Sequence, residues 1–153
     1  MTENQFEFPP LYQLGYVVGD IETACQYYES TFKIGPFSPP MEVDMTGAIL
    51  RGKTVETKIK VSFAQLGDVQ VEFIQPVEGE NPYFEYLNKF GDGIHHIAFE
   101  VEDMAAGKAH FAKQGIEPVY HQDMGFMEFA YFDTSEVGGT MVELIDWRKS
   151  KSG

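Results

Sequence analysis

Four polar side chains, spread over most of the chain, could together bind a divalent metal ion. They are Gln13 in QLGYVVGD, Glu72 in VQVEFIQP, His96 in GIHHIAFEV and Glu143 in TMVELIDW. Two carboxylates, an amide oxygen and an imidazole nitrogen suit a borderline-to-hard divalent cation that keeps sites for water. Zinc, manganese, cobalt, nickel and iron(II) are all compatible with this donor set.

The pattern around these residues predicts that they face one cavity. Each lies in a short apolar stretch typical of a β-strand, where side chains alternate between two faces. If the apolar neighbours pack on a helix, the four polar side chains project from the other face. Two buried carboxylates without a counter-charge would cost several kcal/mol or would have to be protonated, and a cation removes that cost. The structural alternative is that each is an ordinary residue, a solvated Glu or a satisfied core His.

The elements that position these residues occur twice. Gln13 and His96 are 83 residues apart, as are Asp20 and Asp103, and the stretch VEFI at 71–74 returns as VELI at 142–145. This spacing predicts an α+β chain of two repeated βαβββ modules, with a curved mixed sheet around a metal-containing cavity. We expect one domain over 1–153, with a first module at about 11–76, a connecting helix at about 81–90 and a second module at about 93–147.

Capping and turn residues give the local boundaries. Asp20 and Asp103 are suited to cap the helices DIETACQYYESTFK and MAAGKAHFAKQ, and Asn81-Pro82 to open a short third helix. Gly67-Asp68 predicts a tight hairpin between two strands. The segment 41–51 gives no clear prediction.

Composition limits the classes of partner. The 153 residues carry a net charge of −13 with only 11 Lys and Arg, which disfavours nucleic acid and anionic membranes. No apolar run is long enough to span a bilayer, and the first residues lack the features of a signal peptide. The single cysteine, Cys25, fits a reducing compartment, so we expect a cytoplasmic protein.

The chain resembles the vicinal oxygen chelate superfamily of glyoxalases, bleomycin-resistance proteins and extradiol dioxygenases, and within it the methylmalonyl-CoA epimerase-like branch. The resemblance rests on the stretches QLGYVVGDIETACQYYESTF, LGDVQVEFIQP, NPYFEYLNKFGDGIHHIAFEVEDM and GGTMVELI. It implies that the metal positions are Gln13, Glu72, His96 and Glu143, in agreement with the strand-face argument. It also implies a homodimer.

The chain departs from each named branch. Epimerases of this kind usually carry His and Gln where this chain has Gln13 and Glu72. The set here is similar to that of eukaryotic-type glyoxalase I, but Val17 and Asp92 stand where that enzyme has arginines for glutathione. Few basic residues also weaken the case for a coenzyme A thioester. Gln13 breaks the two-His, one-carboxylate set of iron(II) dioxygenases.

The chemistry implied by the isomerase-like members takes place at a carbon next to a carbonyl. A metal stabilises the enolate oxygen while a base removes the α-proton. Glu143 is the first candidate base and Glu72 its partner for the opposite face. Lys60 is a further candidate, because packing of Ile59 and Val61 against the helix would turn it towards the cavity. His95, on the opposite face from His96, is interpreted as structural.

The predicted function is therefore a metal-dependent racemase or epimerase that inverts a stereocentre next to a carbonyl. The many aromatic residues favour a neutral aromatic ketone as the small-molecule substrate. The alternatives are methylmalonyl-CoA epimerase, a glyoxalase-like lyase and a non-catalytic small-molecule-binding protein of the resistance type.

Overall fold

The computed structural model describes residues 6–148. Three α-helices are present in this range: α1 (Ile21–Tyr27), α2 (Pro82–Phe90) and α3 (Met104–Lys113); a π-helical turn, Tyr28–Phe32, extends α1. None of these helices has the length and apolar character needed to cross a membrane. The ten strands are β1 (Gln13–Val17), β2 (Met41–Asp44), β3 (Ala48–Leu50), β4 (Lys53–Val55), β5 (Thr57–Leu66), β6 (Val69–Gly79), β7 (Gly93–Glu100), β8 (Pro118–Asp123), β9 (Glu128–Phe132) and β10 (Met141–Asp146).

All ten strands form one curved mixed sheet in the order β2-β5-β6-β1-β7-β10-β9-β8-β3-β4. Strand β1 pairs parallel to β6 and β7 pairs parallel to β10, while β1 and β7 pair antiparallel at the centre. The half β1-β6-β5-β2 therefore mirrors the half β7-β10-β9-β8. This arrangement confirms the α+β fold of two related half-sheets, whereas the exact module boundaries stay a prediction.

The caps expected from the sequence are present. The side chains of Asp20 and Asp103 accept from Thr23 N and Ala106 N at 3.0 and 3.1 Å. The two helix starts are also tied to equivalent strands, because Gln75 on β6 accepts from Ile21 N and Asp146 on β10 accepts from Met104 N. These bonds satisfy N–H groups that a helix start leaves without partners and fix each helix on its half-sheet.

Residues 41–51, which the sequence left ambiguous, link the two halves. Strand β2 pairs with β5 of the first half, but the following strand β3 pairs with β8 of the second. The β3–β4 hairpin thus crosses from one edge of the sheet towards the other. Its buried side chains belong to the same apolar cluster as the central strands and helix α2; they include Met45, Ala48, Leu50 and Val55.

The two faces of the sheet carry different cores. Helices α1 and α3 cover the outer face through separate clusters around Phe73 and Phe132. The inner face carries a third cluster that includes Val17, Ile74 and Ala98 from the central strands. Both faces of the central strands are therefore apolar, and the polar residues among them stand out as exceptions that need a physical reason.

Candidate functional site

The structure brings Gln13, Glu72, His96 and Glu143 together on four neighbouring strands at the centre of the sheet. Gly15 on β1 lies between Glu72 on β6 and His96 on β7. Ala98 on β7 lies in the same way between Gln13 on β1 and Glu143 on β10. Gly15 and Ala98 are small, and each therefore leaves room for the longer polar side chains on the two strands beside it.

The Nε2 atom of His96 is the point on which the other three side chains converge. It lies 3.4 Å from Glu72 Oε1, 3.3 Å from Glu143 Oε1 and 3.3 Å from Gln13 Oε1. The Gln13 amide is oriented by its neighbour in the parallel register, because its Nε2 donates to Gln70 Oε1 at 2.7 Å. The amide oxygen of Gln13 is therefore the atom presented to the centre.

The centre is almost completely buried. His96 has no exposed surface, and the side chains of Glu72 and Glu143 are 12% and 8% exposed. Burial raises the pKa of Glu72 to about 8 and lowers the pKa of His96 to about 3. Burial, and then the nearby Glu72, raise the pKa of Glu143 well above its ordinary value. Burial thus disfavours the charged forms of both carboxyl groups and of the imidazole. A bound cation would stabilise the charged carboxylates and the neutral imidazole.

Whether these residues fit a metal can be tested on the donor atoms. Within residues 6–148, no three His, Cys, Asp or Glu side chains are already arranged as a metal cluster. However, ligand atoms about 2.0–2.2 Å from a common zinc-like ion lie roughly 3.0–3.5 Å from one another, which covers all three separations from His96 Nε2. The Gln13 oxygen supplies a fourth, neutral donor. The donor set and its spacing therefore fit a divalent cation.

Two tyrosines, neither of them predicted as a site residue, extend the centre on the Glu143 side. The hydroxyl of Tyr131 donates to Glu143 and accepts from the hydroxyl of Tyr83 at 2.8 Å. Both rings are buried, and the Tyr131 ring contacts His96 with 4.9 Å between centroids. Glu72 has no such donor among the described residues, so the two carboxylates differ in their hydrogen bonding.

The placement expected for His95 is wrong. The pairing of β1 with β7 shifts at this point, since Gly15 lies opposite His96 while Tyr16 lies opposite Ile94. His95 is the extra residue of this bulge, and bulges redirect side chains from the regular alternation. As a result its Nδ1 lies 3.0 Å from His96 Nδ1, in direct contact with the centre.

The cavity-facing orientation expected for Lys60 is also wrong. Ile59 and Val61 lie in the inner cluster, so the alternation turns Lys60 outwards towards helix α1. Its ammonium group lies 3.8 Å from Glu22 on that helix. Ser62, on the same face, donates to the carbonyl of Ser38 at 2.5 Å. Lys60 is therefore not part of the central cluster.

A comparison with protein families decides the classification. The family model of the Glyoxalase/Bleomycin resistance protein/Dioxygenase superfamily matches residues 12–131. The chain belongs to this superfamily. The match spans β1 to β9 and includes Gln13, Glu72 and His96, while Glu143 lies beyond it on β10.

Two curated relatives of this superfamily member are informative. An uncharacterised protein of Bacillus subtilis is 28% identical over 137 residues, which cover 87% of this chain and 89% of the relative. The ethylmalonyl-CoA/methylmalonyl-CoA epimerase of Cereibacter sphaeroides is 29% identical over 106 residues, 69% of this chain and 70% of that enzyme.

Solved structures confirm the fold of the superfamily member. The methylmalonyl-CoA epimerase of Mycobacterium tuberculosis superposes with a TM-score of 0.72 at 19% identity, covering 100% of this chain and 97% of the other. A variant of the Streptomyces coelicolor methylmalonyl-CoA epimerase, in complex with 2-nitronate-propionyl-CoA, gives a TM-score of 0.70 at 17% identity. That superposition covers 92% of this chain and 95% of the other.

Proposed function

We propose that the protein is a metal-dependent epimerase or racemase that inverts a stereocentre next to a carbonyl group. One observation carries the proposal: Glu72 and Glu143 occupy equivalent positions in the two half-sheets, and both place a carboxyl oxygen within 3.4 Å of the same His96 nitrogen. An enzyme that moves a proton between two faces of one carbon needs two such groups around one point.

The residues that would hold the metal are Gln13, Glu72, His96 and Glu143. When bound, the metal would supply a Lewis acid that stabilises negative charge on the substrate's carbonyl oxygen. The burial of the four side chains excludes bulk water, which strengthens the interaction of fixed charges with that oxygen. The metals compatible with this donor set are zinc, manganese, cobalt, nickel and iron(II).

In this proposal the two carboxylates hold and move the α-proton. Glu143 is the first candidate base, because its Oε1 lies 3.3 Å from His96 Nε2 and a hydrogen bond from Tyr131 favours its charged form against the larger effect of burial. Glu72 would return a proton on the opposite face. In the metal-free protein burial raises the pKa of Glu72 to about 8 and raises the pKa of Glu143 in the same direction. A group that takes and returns protons works best when its pKa lies near neutral pH.

The substrate we favour is a neutral ketone with an aromatic substituent. The inner face carries the rings of Tyr83, Tyr120, Phe129 and Tyr131 around the centre, and the chain has an excess of acidic residues with a net charge of −13. Methylmalonyl-CoA is the second candidate, because a related enzyme from Cereibacter sphaeroides and two superposing structures are named as epimerases of that thioester. The homodimer and the cytoplasmic location stay predictions.

The first experiment is elemental analysis of protein purified without chelator, compared with a His96→Ala variant. We expect near-stoichiometric divalent metal in the parent and its loss in the variant. Circular dichroism of both proteins shows whether the variant is folded. Absence of metal from the parent, even after reconstitution, would contradict the metal-dependent mechanism and favour a non-catalytic binding protein.

The second experiment separates the substrates. The metal-loaded protein is incubated in D₂O with α-substituted aryl ketones or with methylmalonyl-CoA, and deuterium at the α-carbon is followed by NMR. We expect exchange into the ketone, and at least a hundredfold slower exchange in Glu143→Gln and Glu72→Gln. Exchange into the thioester alone would select the second candidate. If the protein instead converts a hemithioacetal without net oxidation or reduction, the glyoxalase-like lyase is favoured.

A further inference from the structure

The side chains at the centre are closed off from solvent. His96 has no exposed surface, and Gln13 and Glu143 are buried. A buried side chain cannot touch a molecule in solution. A substrate can therefore reach these atoms only after part of the surrounding structure moves.

The β3–β4 hairpin, residues 48–55, is attached to the sheet less firmly than the strands that carry the centre. Among the described strands, β4 lies at the edge of the sheet and pairs with β3, and β3 pairs with β8 at Ile49 and Leu50. The central strands β1 and β7 are each paired on both sides. Local opening takes place where few backbone hydrogen bonds have to break. The hairpin can therefore open at a lower free-energy cost than β1 or β7.

The buried side of the hairpin packs against the tyrosines that border the centre. Leu50 lies opposite Tyr120 in the pairing of β3 with β8, and the hydroxyl of Tyr120 donates to Met45 Sδ at 3.7 Å. The Tyr120 ring lies 5.8 Å from the Tyr131 ring, which in turn contacts the ring of His96. An outward movement of the hairpin would therefore uncover this side of the centre.

Two ion pairs hold the hairpin against the segment that carries α2. At the tip, the guanidinium of Arg51 donates two hydrogen bonds of 2.8 Å to Glu85 on α2. Next to it, Lys53 Nζ lies 2.9 Å from Oε1 of Glu80, which precedes the helix. The four side chains are half exposed or more, so water competes for these bonds. The pairs are therefore weak enough to break and form again reversibly.

Arg51 has a backbone conformation that arginine seldom adopts. Its φ of 47° and the φ of 81° at Gly52 are those of the two central residues in a type I′ hairpin turn. Asn, Asp and Gly are the residues that suit the first of these positions. An arginine there makes the turn less stable, and the paired hydrogen bonds to Glu85 give a physical reason for its presence.

We propose that the β3–β4 hairpin is a lid over the centre, which Arg51 and Lys53 latch to the α2 segment and which opens to admit small molecules. The N–H of Met45 donates to the carbonyl of Thr57 at 2.9 Å, so the base of the hairpin stays attached while the tip moves. Closure of the lid excludes water from the centre again. The role of the lid in turnover rests on the proposed function, whereas its control of access to His96 does not.

Chemical modification of His96 tests this access in the metal-free protein. Diethyl pyrocarbonate modifies accessible imidazole nitrogens, and tandem mass spectrometry identifies the modified histidine. We expect His96 to react about fivefold faster in Arg51→Asn than in the parent, the factor expected for loss of one exposed ion pair. Asn suits the turn position, so this variant removes the latch and keeps the hairpin folded. His110, which is partly exposed on α3, should react equally in both proteins. Equal reactivity of His96 in both proteins would overturn the proposal.

Lys60→Ala is the matched control. It breaks a partly exposed ion pair with Glu22 on the outer face of the sheet, and His96 should react as it does in the parent. If Lys60→Ala accelerates the reaction as much as Arg51→Asn does, a general loss of stability explains the effect and the lid is wrong.

Amide hydrogen exchange tests whether the hairpin opens separately from the rest of the sheet. We expect residues 48–55 to exchange faster than β1 and β7, and we expect Arg51→Asn to accelerate exchange in the hairpin alone. If the hairpin exchanges at the same rate as β1 and β7, it opens only when the whole protein unfolds, which would contradict the proposal.

Zinc kinetics separate the lid from the proposed function. In Arg51→Asn, zinc uptake and zinc removal by a chelator should both be about fivefold faster, with an unchanged dissociation constant, because a lid alters the path and not the bound state. If the protein takes up no zinc but His96 shows the expected reactivity, the lid stands and the metal-dependent mechanism is wrong. If zinc binds and leaves at equal rates in both proteins, the metal centre stands and the lid is wrong.

Discussion

The imidazole ring of His96 lies directly over the α-carbon of Gly15. A β-carbon built at Gly15 would lie 2.0 Å from His96 Cε1 and 2.1 Å from Nε2, far inside contact distance. The two residues are opposite each other in the antiparallel pairing of β1 with β7. Gly15 is therefore required by the close approach of the ring, and a side chain here would have to displace His96 Nε2 from its position beside Glu72 and Glu143.

We predict that Gly15→Ala abolishes metal binding or weakens it at least a hundredfold. The added methyl group pushes the His96 ring away from Glu72 and Glu143, and a ligand displaced by about 1 Å no longer matches the coordination distance. Overpacking of this kind also costs about 1–3 kcal/mol of unfolding free energy. Metal titration monitored by calorimetry, together with urea denaturation, measures both effects.

Gly19→Ala is the matched control. A β-carbon at Gly19 would lie 3.6 Å from Asp92 Oδ1 and 4.0 Å from Leu87 Cδ1, which are ordinary contacts, and the backbone N–H that binds Asp92 is kept. This variant should bind metal like the parent. Unchanged metal affinity in Gly15→Ala would show that the ring position does not determine the site.

The repeat made much of this architecture predictable from the sequence. The 83-residue spacing of Gln13 with His96 and of Asp20 with Asp103 gave the two half-sheets, the helix caps and the four central side chains. These features depend on strand alternation and helix capping, which are short-range patterns that can be read directly from the order of the amino acids. The structure places the other three of these side chains around His96 Nε2.

The features that the sequence did not reveal arise from pairing between distant strands. Alternation in TKIKVSFAQL separates Lys60 from Ile59 and Val61, but both faces of this sheet are covered by apolar residues, so alternation cannot tell which face is inner. The bulge that turns His95 into the centre is a property of the register of β7 against β1. The contact of Tyr131 with Glu143 likewise depends on how β9 pairs with β10.

A second prediction follows from the outward position of Lys60. Lys60→Ala should leave metal content and turnover unchanged, because its ammonium group pairs with Glu22 on α1 and not with the centre. The pair is partly exposed, so its loss should change the unfolding free energy by no more than about 1 kcal/mol. A large loss of turnover in a folded Lys60→Ala variant would restore this lysine as a catalytic candidate.

A third prediction concerns the tyrosine next to Glu143. Its hydroxyl lowers the pKa of Glu143 against the larger effect of burial, so Tyr131→Phe should raise that pKa further. Because protons and metal compete for the carboxylate, the pH midpoint of metal binding should rise by about one unit, the equivalent of one hydrogen bond. Metal titrations at a series of pH values measure the midpoint.

Tyr120→Phe is the control for this substitution. The Tyr120 ring belongs to the same inner cluster, but its hydroxyl donates to Met45 Sδ at 3.7 Å and not to a carboxylate. Its pH midpoint should match that of the parent. Equal shifts in both variants would mean that loss of a buried hydroxyl, rather than the bond to Glu143, changes the site.

The last prediction is a pH dependence of the metal-free protein. Burial raises the pKa of Glu72 from 4.5 to about 8 in the folded state, so the folded state binds the proton more tightly than the unfolded state. The contribution of Glu72 to stability is therefore complete below pH 4.5 and is lost as the pH rises towards 8. His96 has the opposite effect on stability, because burial lowers its pKa from 6.5 to about 3 in the folded state. Its contribution to the unfolding free energy is therefore complete above pH 6.5. Between pH 6.5 and 8 the carboxyl groups alone set the slope, and the unfolding free energy should fall.

Glu72→Gln tests this slope, because it removes the titrating proton and keeps the shape of the side chain. In the presence of chelator, the fall between pH 6.5 and 8 should be shallower than in the parent by up to about 1.4 kcal/mol per pH unit, the value for one proton. Glu143 titrates in the same sense, so part of the slope remains. The exposed substitution Glu42→Gln serves as the control and should keep the slope of the parent. If Glu72→Gln also keeps it, Glu72 does not retain a proton in the folded protein, and the buried carboxyl pair must be stabilised at neutral pH by some group other than a proton or a metal ion.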